Sequence, residues 1–320
     1  MGTIDNIFVL HNMINYLLNN DKRLYVAFVD FTKAFDYLVR DIIWYKMIKL
    51  GIRGKILDII RSLYHNVRTR IKYQNTLSED FSCILGARQG ESLSPFIFSM
   101  YLNDIEEHFM LNGFKGVDIS FLKMFLLLYA DDIVIFAENE NDLQNGLQLL
   151  EDYCQRWKLT VNTKKTKIMV FRKQGRLRKN VAFYYNQERL EIVDSFSYLG
   201  IVFTTGGSFN MTFETLSGQG LKAMYKLNRE LIRFPGLTIQ EKLELFDKLV
   251  YPVLNYGSEI WGLNESLKIE RIHLKFCKNL LGVKSQTQNN FINGELGRTN
   301  SWAKSVRSFL QSLGFNDVWL

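Results

Sequence analysis

Two short apolar runs, residues 125–130 and 133–137, are separated only by Asp131 and Asp132. Runs of this length and composition read as strands, and strands so closely joined read as a hairpin. The chain is therefore expected to contain antiparallel sheet, with two adjacent carboxylates at a hairpin tip. A third carboxylate, Asp30, lies at the end of another β-rich apolar run, residues 24–31.

Adjacent ionised carboxylates repel one another, and apolar strands beside them raise the cost of keeping them charged. Divalent cations remove that cost, and Mg²⁺ favours hard oxygen ligands from few carboxylates. Two such ions ~4 Å apart can activate an attacking hydroxyl and stabilise a leaving oxygen in phosphoryl transfer. Asp pairs are also common in turns because Asp tolerates turn geometry. On the residues alone both readings stand, since pairing between the Asp30 strand and the hairpin is not visible in the sequence.

The 320 residues are 47% hydrophobic and 14% aromatic, enough for a large core and for one or two domains. Cys83, Cys154 and Cys277 are scattered, with no His or second Cys at metal-ligand spacing, which excludes a disulfide scaffold and a zinc knuckle. No apolar run reaches the ~18 residues of a membrane span; the nearest, residues 124–137, is broken by the two aspartates. There is no signal-peptide pattern, and Asn6 breaks a myristoylation motif after Gly2. A soluble, intracellular protein without a membrane partner is expected, with nucleus and cytoplasm both open. A net charge of +7 argues only weakly for nucleic acid.

Three prolines, against an ordinary share of roughly 5%, predict long unbroken elements. Helical spacing covers residues 3–19. Gly51 separates two helices, residues 41–50 and 54–67, as a C′ glycine. Strands follow at residues 69–73 and 81–87. Ser94 and Pro95 read as N-cap and N1 of a helix reaching residue 111. Residues 142–157 form an amphipathic helix, 167–171 a strand, and 195–203 part of a further hairpin. Beyond Gly206-Gly207 the pattern is helical, and Thr238 with Glu241 has capping-box spacing. The fold class is α+β, with a domain break at 205–210.

The stretch Phe28-Val-Asp-Phe-Thr-Lys-Ala-Phe-Asp36 resembles the first catalytic motif of non-LTR (LINE-type) retrotransposon reverse transcriptases. Arg88-Gln-Gly-Glu-Ser-Leu-Ser-Pro95 looks like their second motif and Tyr129-Ala-Asp-Asp132 like their third. Asn162-Thr-Lys-Lys-Thr-Lys167 and Tyr198-Leu-Gly200 resemble the next two, in the same order. A lone Tyr-x-Asp-Asp is a weak signal; five ordered motifs are specific. The resemblance continues more loosely through residues 249–262 and 269–298.

This resemblance implies a right-hand polymerase: a palm with residual fingers elements over residues 1–205, a helical thumb over 206–285 and a helical C-terminal extension over 286–320. It implies Asp30 and Asp131 as the main ligands of two Mg²⁺ ions, assisted by Asp132 and the Phe31 carbonyl. The implied reaction joins a dNTP to the 3′-hydroxyl of a DNA primer on an RNA template. Phe35 would exclude a 2′-hydroxyl, and Gln89 and Gly90 would lie by the nucleotide. Lys165 would protonate the leaving pyrophosphate, with Lys164 and Lys167 close enough to blur that assignment. Tyr198, Leu199 and Gly200 would grip the primer. The first catalytic strand begins about 24 residues in, so most of the family's fingers, its endonuclease and its Cys/His knuckle are expected to be missing, as in a retrotransposon fragment.

Basic surfaces are legible without the resemblance. Residues 158–180 carry nine Lys and Arg (Lys158, Lys164, Lys165, Lys167, Arg172, Lys173, Arg176, Arg178 and Lys179) and no acid, a run that suits a solvated face, phosphate contact or nuclear localisation. Lys222, Lys226, Arg229 and Arg233 recur on one helical face, as do Lys268, Arg271, Lys275 and Lys278. Such ridges are common on solvated helices and can also follow a phosphate backbone. A second functional reading is a catalytically silent nucleic-acid-binding relic of such an element. A two-metal nuclease is a poor third, since it leaves Phe35 and Gln89-Gly90 without a role. Oligomeric state is open.

Overall fold

A computed structural model describes residues 2–88, 90–119, 122–175, 177–178 and 180–312, so Gln89, Arg176 and Lys179 lie outside it. The chain divides into two compact units, Tyr16–Asp194 and Met1–Asn15 with Ser195–Leu320. The boundary falls inside the first helix, α1 (Thr3–Asn19), where the sequence places a helix.

The unit Tyr16–Asp194 is built on β1 (Leu24–Val29), followed by α2 (Arg40–Lys49) and α3 (Lys55–Tyr64). Four two-residue strands come next: β2 (Arg68–Thr69), β3 (Lys72–Tyr73), β4 (Thr76–Leu77) and β5 (Phe81–Ser82). Then follow α4 (Leu93–Leu102), α5 (Ile105–Leu111), β6 (Val117–Ile119), β7 (Leu122–Met124), β8 (Leu126–Tyr129) and β9 (Asp132–Ala137). The unit ends with α6 (Glu140–Trp157), β10 (Lys167–Phe171), β11 (Phe183–Tyr185) and β12 (Glu188–Ile192). Six strands form one sheet in the order β11-β12-β10-β1-β9-β8, mainly antiparallel; only β10 and β12 run parallel. This is the α+β class expected.

All six residues of β1 are buried, which is why its sequence is a continuous apolar run instead of an alternating one. On one face Tyr25, Ala27, Val29, Ile133, Ile135 and Val170 share a core with Phe98, Phe109, Leu143 and Leu147 from the helices. The opposite face (Leu24, Val26, Phe28, Val134, Phe136 and Met169) is also buried. Burial on both faces fixes the register strongly, because a one-residue slip would reverse every side chain.

Two sequence expectations change here. The strands expected at 69–73 and 81–87 shrink to two-residue pairs, β2 with β5 and β3 with β4. Ile71, Tyr73, Leu77, Phe81 and Ile84 are all exposed, so longer pairing would gain little burial. The helix expected to start at Ser94 starts at Leu93, and Ser94 is inside it with its hydroxyl donating to the Arg88 carbonyl. Pro95 then occupies the first turn, where a missing N–H costs nothing. That helix also ends at Leu102 and resumes as α5, with Asp104 at the break. There Asp104 Oδ1 accepts from Lys46 Nζ at 2.6 Å and from the Tyr153 hydroxyl at 2.7 Å.

The second unit opens on the hairpin β13 (Ser195–Tyr198) and β14 (Ile201–Thr204). Its helices are α7 (Asn210–Leu231), α8 (Ile239–Leu249), α9 (Tyr251–Leu254), α10 (Ser258–Trp261), α11 (Leu267–Leu281), α12 (Asn289–Glu295) and α13 (Ser301–Ser312). Thr238 and Glu241 form the expected capping box at the start of α8. The units divide at Asp194–Ser195, not at 205–210. The hairpin goes with the helices because Thr212 on α7 both donates to the Val202 carbonyl (2.8 Å) and accepts its N–H (3.1 Å). Among the described residues, no helix is long and apolar enough to cross a membrane.

Candidate active site

β1 pairs with β9 so that Val29 stands opposite Ile133. Asp30 and Asp132 lie one residue beyond the last pair of this ladder, near enough that the charge of Asp30 acts on the Asp132 carboxyl. β8 and β9 pair as far as Tyr129 and Asp132, leaving Ala130-Asp131 as a two-residue turn. Ala130 has φ +51°, the left-handed value that tight hairpin turns need at this position, at a cost of ~1 kcal/mol for a residue with a Cβ. The strained tip thus carries Asp131, and β9 begins with Asp132, paired with Tyr129.

The electrostatics follow from this placement. Burial, then the charges of Asp131 and Asp30, push the Asp132 carboxyl up to about 6. Asp30 Oδ2 is buried and accepts no hydrogen bond. Lys165 Nζ stands 3.6 Å from it. The Asp30 backbone is fixed on both sides: its N–H donates to Thr166 Oγ1 (3.2 Å) and its carbonyl accepts from the Asn162 N–H (2.7 Å). Those contacts bring the 162–166 turn, and with it Lys165, to the end of β1. Lys167 is engaged elsewhere, donating to Glu191 and to the Lys164 carbonyl, both at 2.6 Å. Sequence reasoning did not single out Asn162 and Thr166 as holders of Asp30, although both lie in the motif quoted above.

Among the described residues, no group of three or more His, Cys, Asp or Glu side chains stands ready to hold a metal ion. The donors nevertheless suit a hard divalent cation. Asp30 offers a buried oxygen with no hydrogen bond, and the charges of Asp131 and Asp30 add to burial in raising the cost of ionising Asp132. Mg²⁺ uses one or two carboxylates with waters and substrate phosphates, and does not need a closed protein cage.

The remaining predicted residues are placed as follows. Phe31 is buried and bridges to Val161. Phe35 is half-buried, its ring 4.8 Å from that of Phe98, and its carbonyl accepts from the Ala87 N–H at 2.8 Å. That bond brings the turn before Gly90 to Phe35. Gly90 has φ +84°, a conformation that favours glycine; Gln89 lies outside the described residues. Tyr198, Leu199 and Gly200 belong to the other unit. Leu199 and Gly200, both with positive φ, make the β13–β14 turn, and the Tyr256 hydroxyl donates to the Leu199 carbonyl at 2.8 Å.

The basic surfaces are less bare than the sequence implies. Within residues 158–180, Lys167 pairs with Glu191, Arg172 with Asp194 and Lys173 with Asp21, so acids remote in sequence offset part of the run. Lys222, Lys226, Arg229 and Arg233 are exposed as expected, although α7 ends before Arg233 and Glu230 pairs with both arginines. On α11, Lys268 pairs with Glu214, Lys275 donates to the Tyr225 hydroxyl at 2.8 Å, and Lys278 donates to the Ser285 carbonyl at 2.7 Å.

Residues 2–203 match the family described as reverse transcriptase (RNA-dependent DNA polymerase). The chain belongs to this family. Curated relatives include the "Probable RNA-directed DNA polymerase from transposon BS" of Drosophila melanogaster, 24% identical over 85% of this chain and 30% of the relative. The Pol polyprotein of retrotransposable element R2 of Nasonia vitripennis is 28% identical over 64% of this chain and 21% of its own length. The RNA-directed DNA polymerase of mobile element jockey from Drosophila funebris is 21% identical over 85% and 30%. The chain thus spans a third or less of these relatives, which are proteins of non-LTR elements as the ordered motifs imply. Among solved structures, telomerase from Candida albicans in complex with a telomeric RNA fragment aligns over 96% of this chain and 51% of its own, with 13% identity and a TM-score of 0.46.

Proposed function

We propose that this chain is the RNA-directed DNA polymerase core of a non-LTR retrotransposon, joining dNTPs to a DNA primer on an RNA template. The observation that carries the reading is the gathering of Asp30, Asp131 and Asp132 at the ends of β1 and β9, close enough that the first two charges act on the third, with Lys165 Nζ 3.6 Å from Asp30. Asp30, Asp131 and Asp132, with the Phe31 carbonyl, would hold two Mg²⁺ ions. Those ions, when bound, would lower the cost of charge on the attacking 3′-oxygen and on the leaving pyrophosphate.

The protein's own groups perform the rest. Asp132, pushed up to about 6, is ionised at neutral pH against the repulsion of its neighbours, a tension that a cation relieves. Lys165, on a mobile-headed side chain anchored by the 162–166 turn, can leave Asp30 and deliver a proton to the leaving pyrophosphate. The Phe35 ring, backed by Phe98, would stand against the 2′ position of the incoming sugar. Gly90 would let the backbone approach the nucleotide, and Tyr198, Leu199 and Gly200 would position the primer. In this reading the helical unit serves as thumb, its exposed cations Lys222, Lys226 and Arg229 following the phosphate backbone of the duplex.

Primer extension on an RNA template with purified protein and Mg²⁺ tests the proposal. Extension by wild type and none by Asp131→Asn is expected; no extension by wild type, or equal extension by the variant, refutes it. A second reading, a nucleic-acid-binding protein without catalysis, draws on the exposed cations Lys222, Lys226 and Arg229. Salt-dependent duplex binding with no extension would favour it.

A further inference from the structure

The second basic stripe does not form a plain ridge. α11 ends at Gly282, whose φ of +66° reverses the chain, and the Val283 N–H returns to the Lys278 carbonyl at 3.2 Å. The reversal folds residues 283–289 back beside the last turns of α11 and encloses a cavity of about 410 Å³. Arg271, Lys275 and Lys278 line it, above an apolar floor of Leu274 and Val283 and with Asn279, Ser285 and Asn289 also at its wall. Among the described residues, no acidic one lines it.

The three cations differ in freedom. Lys278 is tied to the Ser285 carbonyl and shapes the wall. Lys275 donates to the Tyr225 hydroxyl and lies 5.0 Å from the centre of that ring, which is itself 52% exposed. Arg271 is exposed and makes no ion pair or hydrogen bond among the described residues. A planar guanidinium with five donors suits bidentate phosphate binding. The volume falls at the lower end of pockets that enclose organic ligands, ~300–1,000 Å³, and exceeds what a bare phosphate needs. A regular duplex presents phosphates to a ridge, whereas a concave site suits a unit splayed out of a strand.

We propose that this cavity binds one unpaired nucleotide unit: phosphate on Arg271 and Lys275, base against Leu274 and Val283, with Asn279 and Asn289 reading its polar edge. The ligand class rests on the nucleic-acid-handling function proposed above, but the site needs neither the carboxylates nor a metal. The unit could belong to a single strand or be a free nucleotide.

Binding is therefore measured in EDTA, where polymerase chemistry is silent and its failure cannot be confused with failure of this site. The probes are a short fluorescein-labelled single-stranded oligonucleotide, adenosine 5′-monophosphate and inorganic phosphate at matched ionic strength. The Arg271→Ala variant should weaken nucleotide binding about ten-fold, the worth of one charge-assisted contact, and Arg271→Lys should restore part of it. Displacement of the strand by the mononucleotide, lost in Arg271→Ala, supports a nucleotide within a strand. Mononucleotide binding that depends on Arg271 but leaves the strand in place supports a free nucleotide. Unchanged affinity for both organic probes in Arg271→Ala, with an unchanged thermal melt, overturns the proposal. So does inorganic phosphate that competes as well as the mononucleotide, since the cavity would then respond to charge alone.

Discussion

Replacing Asp132 by Asn keeps the shape of the hairpin tip and removes one of three carboxylates that repel one another. The wild-type carboxyl titrates at about 6 in the folded protein against an ordinary 3.8. Below 3.8 it is protonated in both folded and unfolded states. Between 3.8 and 6 the folded state holds the proton and the unfolded state does not, so stability falls as pH rises through this window. Above 6 both forms are ionised and the loss is complete. The gap is worth ~3 kcal/mol at 1.36 kcal/mol per pH unit, reduced to about 1–2 kcal/mol because the group is only partly buried and water screens it. In EDTA at pH 7.5, Asp132→Asn should therefore be the more stable protein by about 1–2 kcal/mol, with the difference shrinking towards pH 4. Urea unfolding at a series of pH values measures this directly. Saturating Mg²⁺ should reverse the order, because wild type gains binding energy that the variant lacks. A variant less stable than wild type in EDTA at pH 7.5, or a difference independent of pH, would refute the claim that these carboxylates are forced together.

The buried ion pair behind the sheet gives a second prediction. Lys46 is 3% exposed, and burial lowers its ammonium to about 8 despite Asp104; burial pushes Asp104 up, but hydrogen bonds from Lys46 and Tyr153 outweigh this and hold it below the usual range. Asp104→Ala should cost about 3–5 kcal/mol, since it strands a buried cation, whereas Lys46→Met with Asp104→Leu should cost much less; denaturant melts with a loss under 1 kcal/mol for the single variant would discount the pair. For the nucleotide pocket, Phe35→Ala should raise ribonucleotide incorporation relative to deoxynucleotide in primer extension, and unchanged discrimination would remove Phe35 from that role.

Local features were legible where neighbouring residues decide them. The acid-tipped hairpin and the Thr238–Glu241 capping box depend on contacts within a few residues, the strand at 167–171 shows itself as a local apolar run, and all are present. Register between segments about 100 residues apart was not legible, so the approach of Asp30 to Asp132 becomes visible only once β1 lies between β9 and β10. The same distance hid the acids that offset the 158–180 run, since Asp21, Glu191 and Asp194 all lie outside it. The break at Asp104 was missed because its cause, Lys46, is 58 residues away. The pocket behind the α11 stripe was hidden for a different reason: helical periodicity marks a face, and only the turn at Gly282 makes that face concave.

In the proposed mechanism Asp30 and the Asp131–Asp132 tip share a divalent cation. Iron-directed hydroxyl-radical cleavage tests it most directly: Fe²⁺ in place of Mg²⁺, with ascorbate and peroxide, cuts backbone beside the bound ion. Cuts are expected around residues 30–31 and 129–132, suppressed by excess Mg²⁺ and lost in Asp131→Asn. Cleavage confined to other segments, or cuts at these positions that persist in the variant, would contradict it.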